Sequence, residues 1–559
     1  MRFHASYLHR VPSFVIAGVV LAWAGSMAVP AFAAPADASA PLAATPPMGW
    51  NDWAHYQCGY TADTILTNAK ALVKSGLAAR GYTTVTIDDC WMQKDRDSNG
   101  NLQVDAQRFP QGIQPVAEAI HGLGLKFGIY EDAGYATCGG FAGSGEPNGG
   151  GKDHFIQDAN LFASWGVDYL KLDGCNVYVP TGTSEVEAYR KAYAAESAAL
   201  KTVGRPIVFS ESAPAYSQGT PEWYDVLSWV GSYGQLWREG TDIANFHARR
   251  TGSQRFRSVL WNYAYNLPLG RFQKPGNWND PDFIIGGDDG MSLAETRSQL
   301  ALWSMLSAPL ILSSNVGELS PEAVAVLGNR DVIAIDQDAL GRMATLVRRS
   351  AVMDLLLKPL DGGDYAVAVL NRGTMPLPAD LHPGDLGFAS PECRLDARNL
   401  WTGTDESGAA ALHTDLDSHD TAIWRIHPAP SCGKSARIGT ITMIATGRHR
   451  GVENYSRCLA APGSVGACAG TPPETWTVPE TGVLKSAEGR CLAVADGKPV
   501  MKACVPGKAQ QWDYTLAGNV VSAEDHQCLS ATGPDSGPQG LDLEACGHNR
   551  PDQIWSLPN

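Results

Sequence analysis

The sequence predicts an α/β protein, a (β/α)8 TIM barrel followed by an antiparallel β-sandwich and a C-terminal three-fold β-domain. Three observations carry this expectation. Short apolar runs that close on carboxylates alternate with helix-like segments between residues 45 and 341. From Met343 the pattern changes to brief alternating segments, and in the last stretch a unit of two cysteines and a tryptophan recurs three times.

Taken in order, residues 1–33 carry Arg2 and Arg10, an apolar run over 13–29 and then Ala31-Phe32-Ala33, which together read as a cleaved signal peptide. The expected location is secreted or periplasmic. Residues 34–44, rich in Ala and Pro, form a tether, and no later stretch is apolar enough to span a membrane. Losing the leader leaves 41 basic against 58 acidic residues, so the net charge of −15 becomes −17 and nucleic acid is a disfavoured partner. Twelve cysteines in an exported chain imply disulfides. There is no CxxC pair and no HxxxH cluster, so no metal and no cofactor are expected.

Residues 45–341 are long enough for the barrel. Runs at 84–91, 125–132, 167–175 and 205–211 read as parallel strands, with helices at 114–121 and 159–165 between them. The run 167–175 ends in Leu172-Asp173-Gly174, and an Asp at the carboxyl end of a barrel strand sits where such folds keep their chemistry. Asp173 is the candidate nucleophile. Lys171, two residues earlier, shares its face and would hold it ionised. The alternative is a strand-end Asp that caps the next helix or pairs with Lys171; recurrence of the design in four runs favours a site.

Residues 342–428 form the sandwich, with segments at 344–347, 353–359, 365–371 and 421–426, and 429–437 a linker. In residues 438–559, Cys458 and Cys468 precede Trp476, Cys491 and Cys504 precede Trp512, and Cys528 and Cys546 precede Trp555, which points to three stacked units. This segment resembles a ricin B-type β-trefoil, a fold of sugar-binding modules. Such repeats carry an Asp two residues after the first Cys, where this chain has Ala460, Ala493 and Ser530. Asp496 is the one nearby acid that could substitute, so a lectin and a disulfide-stapled structural domain both stand open.

Six ordered motifs then carry a further resemblance: Pro47-Met48-Gly49-Trp50-Asn51-Asp52-Trp53, Ile87-Asp88-Asp89-Cys90-Trp91, Tyr169-Leu170-Lys171-Leu172-Asp173-Gly174-Cys175, Trp237-Arg238 with Asp242, Trp278-Asn279-Asp280-Pro281-Asp282, and Ile335-Asp336-Gln337-Asp338. The chain resembles the α-galactosidase (melibiase) family, which includes α-N-acetylgalactosaminidases. The resemblance implies a barrel plus a β-sandwich and retaining cleavage of terminal α-linked sugars, with Asp173 as nucleophile and Asp242 as acid/base. It implies that Asp88, Asp89, Lys171, Arg238 and Asp282 bond the sugar, that Trp53 and Tyr130 offer ring faces, and that Tyr216 lines the pocket. It also implies the pairs Cys58 with Cys90 and Cys138 with Cys175, leaving Cys393 and Cys432 over.

In Phe209-Ser210-Glu211-Ser212-Ala213-Pro214-Ala215-Tyr216, the family's α-galactosidases place Glu and Leu at positions 212 and 215. Its N-acetylgalactosaminidases place the Ser and Ala found here, which leave room for an acetyl group at carbon 2. Glu211 and Ala213 replace a Cys and a Trp of the common pattern, so Glu211 could instead hold a 2-hydroxyl. The expected function is a secreted retaining exo-glycosidase favouring α-N-acetylgalactosamine. A plain α-galactosidase is the runner-up, and a secreted carbohydrate-binding protein without catalysis is the rival from another class. The expected partner is a glycan, with the oligomeric state left open.

Overall fold

The computed structural model describes residues 41–558 apart from 221, 244–251, 289, 444–456, 480, 534–536 and 548–549. The signal-peptide reading and most of the tether lie outside the described residues. Residues 41–44 rest on the barrel, where Trp278 Nε1 donates to the Ala43 carbonyl at 2.7 Å.

Eight short strands follow: β1 (Met48–Asn51), β2 (Thr84–Ile87), β3 (Lys126–Asp132), β4 (Tyr169–Asp173), β5 (Val208–Glu211), β6 (Leu236–Arg238), β7 (Trp278–Asp280) and β8 (Leu310–Leu312). All pair in parallel in the order β7-β6-β5-β4-β3-β2-β1-β8. The seam between β7 and β8 is bridged by Ile284, which pairs with Leu312. The predicted barrel is therefore present. Between strands lie helices such as Gln114–Gly122, Phe155–Ser164 and Glu185–Leu200, each with one apolar face turned to the sheet. Strands buried on both faces explain the near-continuous apolar runs that the sequence displays.

The next layer is a six-stranded antiparallel sheet facing a two-stranded ribbon, Leu377–Leu381 with Leu412–Leu416. Leu355, Val367, Leu381 and Trp424 fill the core between them. The supposed linker is not free, because Cys432 is bonded to Cys393 and the Ala436 N–H donates to Gly387. Three small antiparallel sheets complete the chain. In each, a tryptophan indole donates to a leucine carbonyl one repeat-strand earlier: Trp476 to Leu459, Trp512 to Leu492 and Trp555 to Leu529, at 2.7, 3.0 and 2.8 Å. Each repeat also holds its own disulfide, 458–468, 491–504 and 528–546. Asp496 sits at the exposed tip of the hairpin joining Arg490–Ala495 to Lys498–Ala503, with a positive φ of 54° suited to a two-residue turn.

Barrel and sandwich share buried charges. Asp354 receives a bidentate pair from Arg349 at 2.9 and 2.7 Å, a bond from Arg372 at 3.2 Å and the Tyr263 hydroxyl of the barrel at 3.1 Å. Burial raises the Asp354 pKa, but the two guanidiniums outweigh it and hold it below the usual value. Lys358 reaches from the sandwich strand Met353–Pro359 to the carbonyls of Ser304 and Ile335 and the hydroxyl of Ser307. Burial pulls its pKa down to about 8, against the opposing charge of Asp336. Asp354→Ala would leave Arg349 buried without its partner and should cost about 3–5 kcal/mol. Urea unfolding measures this, and a variant as stable as the parent would show that the pair contributes nothing.

Candidate active site

Side chains alternate along β4, so Tyr169, Lys171 and Asp173 point into the barrel while Leu170 and Leu172 face the helices. Lys171 shares the face of Asp173, as expected from the sequence, but its ammonium bonds Asp88 Oδ2 at 2.7 Å. Asn51 Nδ2 donates to the same oxygen at 2.7 Å, and Asp88 Oδ1 accepts the Asp89 N–H at 3.0 Å. Asp89 in turn accepts the N–H groups of Cys90 and Gly139 at 2.7 and 2.8 Å. Two adjacent buried acids are thus tolerated because their donors are different. Burial pushes the Asp89 carboxyl above its ordinary pKa. For Lys171 burial acts downward, yet Asp88 and Asp173 overcome it and the ammonium is held above its ordinary value.

Asp173 lies at the mouth, half-buried, between two phenols. Tyr216 donates to Oδ1 at 2.6 Å and Tyr130 to Oδ2 at 3.3 Å, while the Gly174 N–H also reaches Oδ1 at 3.0 Å. Tyr130 is buried and carries the Lys171 ammonium 5.0 Å above its ring, so that face serves the cation. The Cys138–Cys175 disulfide ties the loops after β3 and β4 together beside these groups, and Cys58–Cys90 does the same beside Asp89. Trp53 stands half-buried on the short helix Trp53–Tyr56 after β1.

Arg238, at the end of β6, holds two acids. It bonds Asp242 Oδ1 at 3.1 Å and lies 3.1 Å from Asp282 Oδ1. Asp242 is exposed, whereas Asp282 is buried and adopts φ of 80°, a conformation rare outside glycine and costing about 1–3 kcal/mol. Burial raises the Asp282 pKa to about 6, with Arg238 opposing and Asp242 and Asp280 adding to the rise. Asn262 fastens both loops, donating to the Thr241 carbonyl at 3.1 Å and the Pro281 carbonyl at 2.8 Å.

Ser212 is buried and opens the five-residue helix Ala213–Ser217, which also carries Ala215 and Tyr216. Its hydroxyl makes no cap bond. Glu211 lies elsewhere. Ser210 pairs with Lys171 and shares its inward face, so Glu211 turns outward, against Gly234. A Cβ on Gly234 would come within 2.4 Å of Glu211 Oε1, which explains the glycine. Glu211 is fully buried, neither oxygen has a side-chain partner, and desolvation drives its pKa well up with only the Gly234 N–H opposing. The reading of Glu211 as a 2-hydroxyl partner is thereby removed.

Several residues of the site were not singled out in the sequence. Asp132 closes β3 in register with Asp173, and its carboxylate binds the Cys175 and Gly134 N–H groups at 3.0 and 2.7 Å. Asp52 accepts the Asp88 N–H at 2.8 Å. Asp132 had a signal, being a second strand-end acid, while Asn262 had none. Among the described residues, one group is close enough to hold an ion: Asp132, Asp173, Cys138 and Cys175. Its sulfurs are committed to a disulfide, so only two carboxylates remain.

The family model for alpha galactosidase A matches residues 45–338, that for the alpha galactosidase C-terminal beta sandwich domain matches 351–426, and that for the ricin-type beta-trefoil lectin domain matches 445–555. The chain is 37% identical over 530 residues to alpha-galactosidase A of Aspergillus niger, covering 93% of this chain and 92% of that protein. It is 36% identical over 389 residues to an alpha-galactosidase of Oryza sativa subsp. japonica, covering 69% and 86%. Alpha-galactosidase I of Mortierella vinacea superposes with a TM-score of 0.62 at 29% identity, over 71% of this chain and all of that one.

Two outcomes follow from the geometry. Tyr216→Phe deletes the 2.6 Å bond to Asp173 and should lower kcat/KM by about tenfold, a loss of one charge-assisted bond, with little change in Tm; an unchanged rate would show that the bond is idle. Because the folded pKa of Glu211 is raised above 4.5, its contribution to stability is full below that pH and is lost as pH rises through the raised value. Glu211→Gln should therefore have a higher Tm than the parent at pH 8, with the gap closing towards pH 4.5, as thermal unfolding at the two pH values would read.

Proposed function

Given that the chain belongs to the alpha galactosidase A family of glycoside hydrolases, we propose that it is an exported retaining exo-glycosidase whose pocket favours α-N-acetylgalactosamine. The observation that carries the mechanism is Asp173 held at the barrel mouth by Tyr216 and Tyr130. In this reading Asp173 attacks the anomeric carbon and Asp242, exposed beside Arg238, protonates the departing oxygen. Asp242 then takes a proton from water as water displaces Asp173 and frees the sugar with its configuration retained. Asp88, Asp89 and Lys171 lie deeper and recognise hydroxyls, and Asp282 keeps Arg238 in place.

The preference for N-acetylgalactosamine rests on Ser212 and Ala215, two small side chains one helical turn apart beside Tyr216. The outward turn of Glu211 supports it by removing the nearest competing 2-hydroxyl partner. The second reading is an enzyme for terminal α-galactose, and the names of the Aspergillus niger and Oryza sativa relatives favour it. The trefoil adds carbohydrate binding as a reading, carried by its family match rather than by the positions of Ala460, Ala493 and Ser530.

Asp173→Ala should abolish turnover and yield a glycosyl azide of inverted configuration when azide is supplied. Wild-type rates in that variant would refute the assignment. Asp242→Ala should be slowed most on substrates with poor leaving groups, since a good leaving group needs no proton; equal losses across leaving groups would argue against it as the acid. Ser212→Glu with Ala215→Leu should shift the kcat/KM ratio of nitrophenyl α-galactoside over α-N-acetylgalactosaminide by about tenfold or more towards galactose. A parent that already prefers galactose by a wide margin would decide for the second reading.

A further inference from the structure

We propose that Asn262 is a positioning residue for the acid/base segment, and that the trefoil acts on catalysis by bracing the helix that carries it. The proposal rests on the reading of Asp242 as the acid. Asn262 is buried on the helix Gly252–Asn266, and its amide nitrogen reaches both the Thr241 and the Pro281 carbonyls. Those carbonyls stand immediately before Asp242 and Asp282, the two acids that share Arg238. Asp282 adopts a strained backbone conformation, which persists only where neighbours over-determine it.

The same helix is fastened from outside. Its Tyr263 bonds Asp354 of the sandwich at 3.1 Å. Tyr265 and Pro268 line a cavity closed by Leu346 and Arg349 of the sandwich and by Met443 and Leu557 of the trefoil. Just beyond the helix, Arg271 donates to the Leu516 carbonyl at 2.9 Å and to the Tyr514 hydroxyl, and its guanidinium lies 4.6 Å from the Tyr224 ring and 5.1 Å from that of Tyr514. From Tyr224 the contact continues to Trp223, whose indole donates to the Glu239 carbonyl at 2.8 Å, directly after Arg238. Gln218 closes the loop by accepting the Thr241 N–H at 3.1 Å. The trefoil thus abuts a continuous set of packed groups ending at the backbone of residues 239–241.

The test uses the full-length protein and aryl glycosides of graded leaving-group pKa, with Asp242→Ala as comparator. Asn262→Leu removes both donors at similar volume; Asn262→Asp, which keeps the shape, stands in if the first does not fold. The expected result, well below Tm, is a fall in kcat of about tenfold on poor leaving groups and less on good ones, with KM nearly constant. Arg271→Met should give a smaller loss of the same dependence, and the double variant should lose less than the product of the two. A lowered Tm with parental kcat on every substrate would overturn the proposal, leaving Asn262 a structural residue. A flat profile for Asp242→Ala beside a lowered kcat for Asn262→Leu would sink the acid assignment while upholding Asn262 as positioning the segment.

Discussion

Like charges crowded at a barrel mouth repel, and the rest of this site depends on how that repulsion is met. Asp88, Asp89, Asp132, Asp173, Asp280 and Asp282 lie on or just beyond four strand ends, with Lys171 and Arg238 as the cations among them. The chain meets the imbalance with fixed dipoles. Backbone N–H groups of Asp89, Cys90, Gly134, Gly139, Gly174, Cys175 and Ile243 each donate to one of these carboxylates. Such donors carry no side-chain entropy and cannot swing away, so the acids are held in place before any sugar arrives. The loops after β2, β3 and β4 that supply most of them are tied by disulfides, which is the structural reason cysteines sit beside Asp89 and Asp173.

The two C-terminal layers extend this logic. Arg349 with Asp354, and Lys358 with its three acceptors, are charges taken out of water at a domain boundary, and such groups tolerate few alternative arrangements. They fix the angle at which helices of the barrel meet the sandwich, and the trefoil then closes the remaining side through Arg271. The three folds are thus joined by side-chain bonds as well as by the chain.

The barrel, the sandwich strands and the three-fold repeat were legible because each depends on local pattern: apolar runs, alternation and a repeated Cys-Cys-Trp unit. Asp173 was legible from its place at a strand end. The partner of Lys171 was not, because Asp88 lies 83 residues away and the strand pattern alone offers the nearer Asp173. Glu211 shows the limit most clearly. Read as a string it stands beside Ser212 and invites a role in the pocket, but the two-residue period of β5, registered on Lys171, turns it to the opposite face. Asn262 was invisible for a different reason, since a polar residue within an ordinary helix gives no sign of the two carbonyls it will meet.

The helix Ala213–Ser217 carries three consequential positions within one turn and a half: Ser212 at its start, Ala215, and Tyr216 on Asp173. Under the roles proposed above, substrate choice and orientation of the attacking group are inherited together. On those roles, a lineage drifting from one sugar towards another alters side chains on the same short helix that holds Asp173, so single steps towards a new specificity also disturb the bond that steadies it. The accessible routes are those that change bulk at 212 and 215 while sparing the path of Tyr216, which confines diversification at this locus to a few paired replacements.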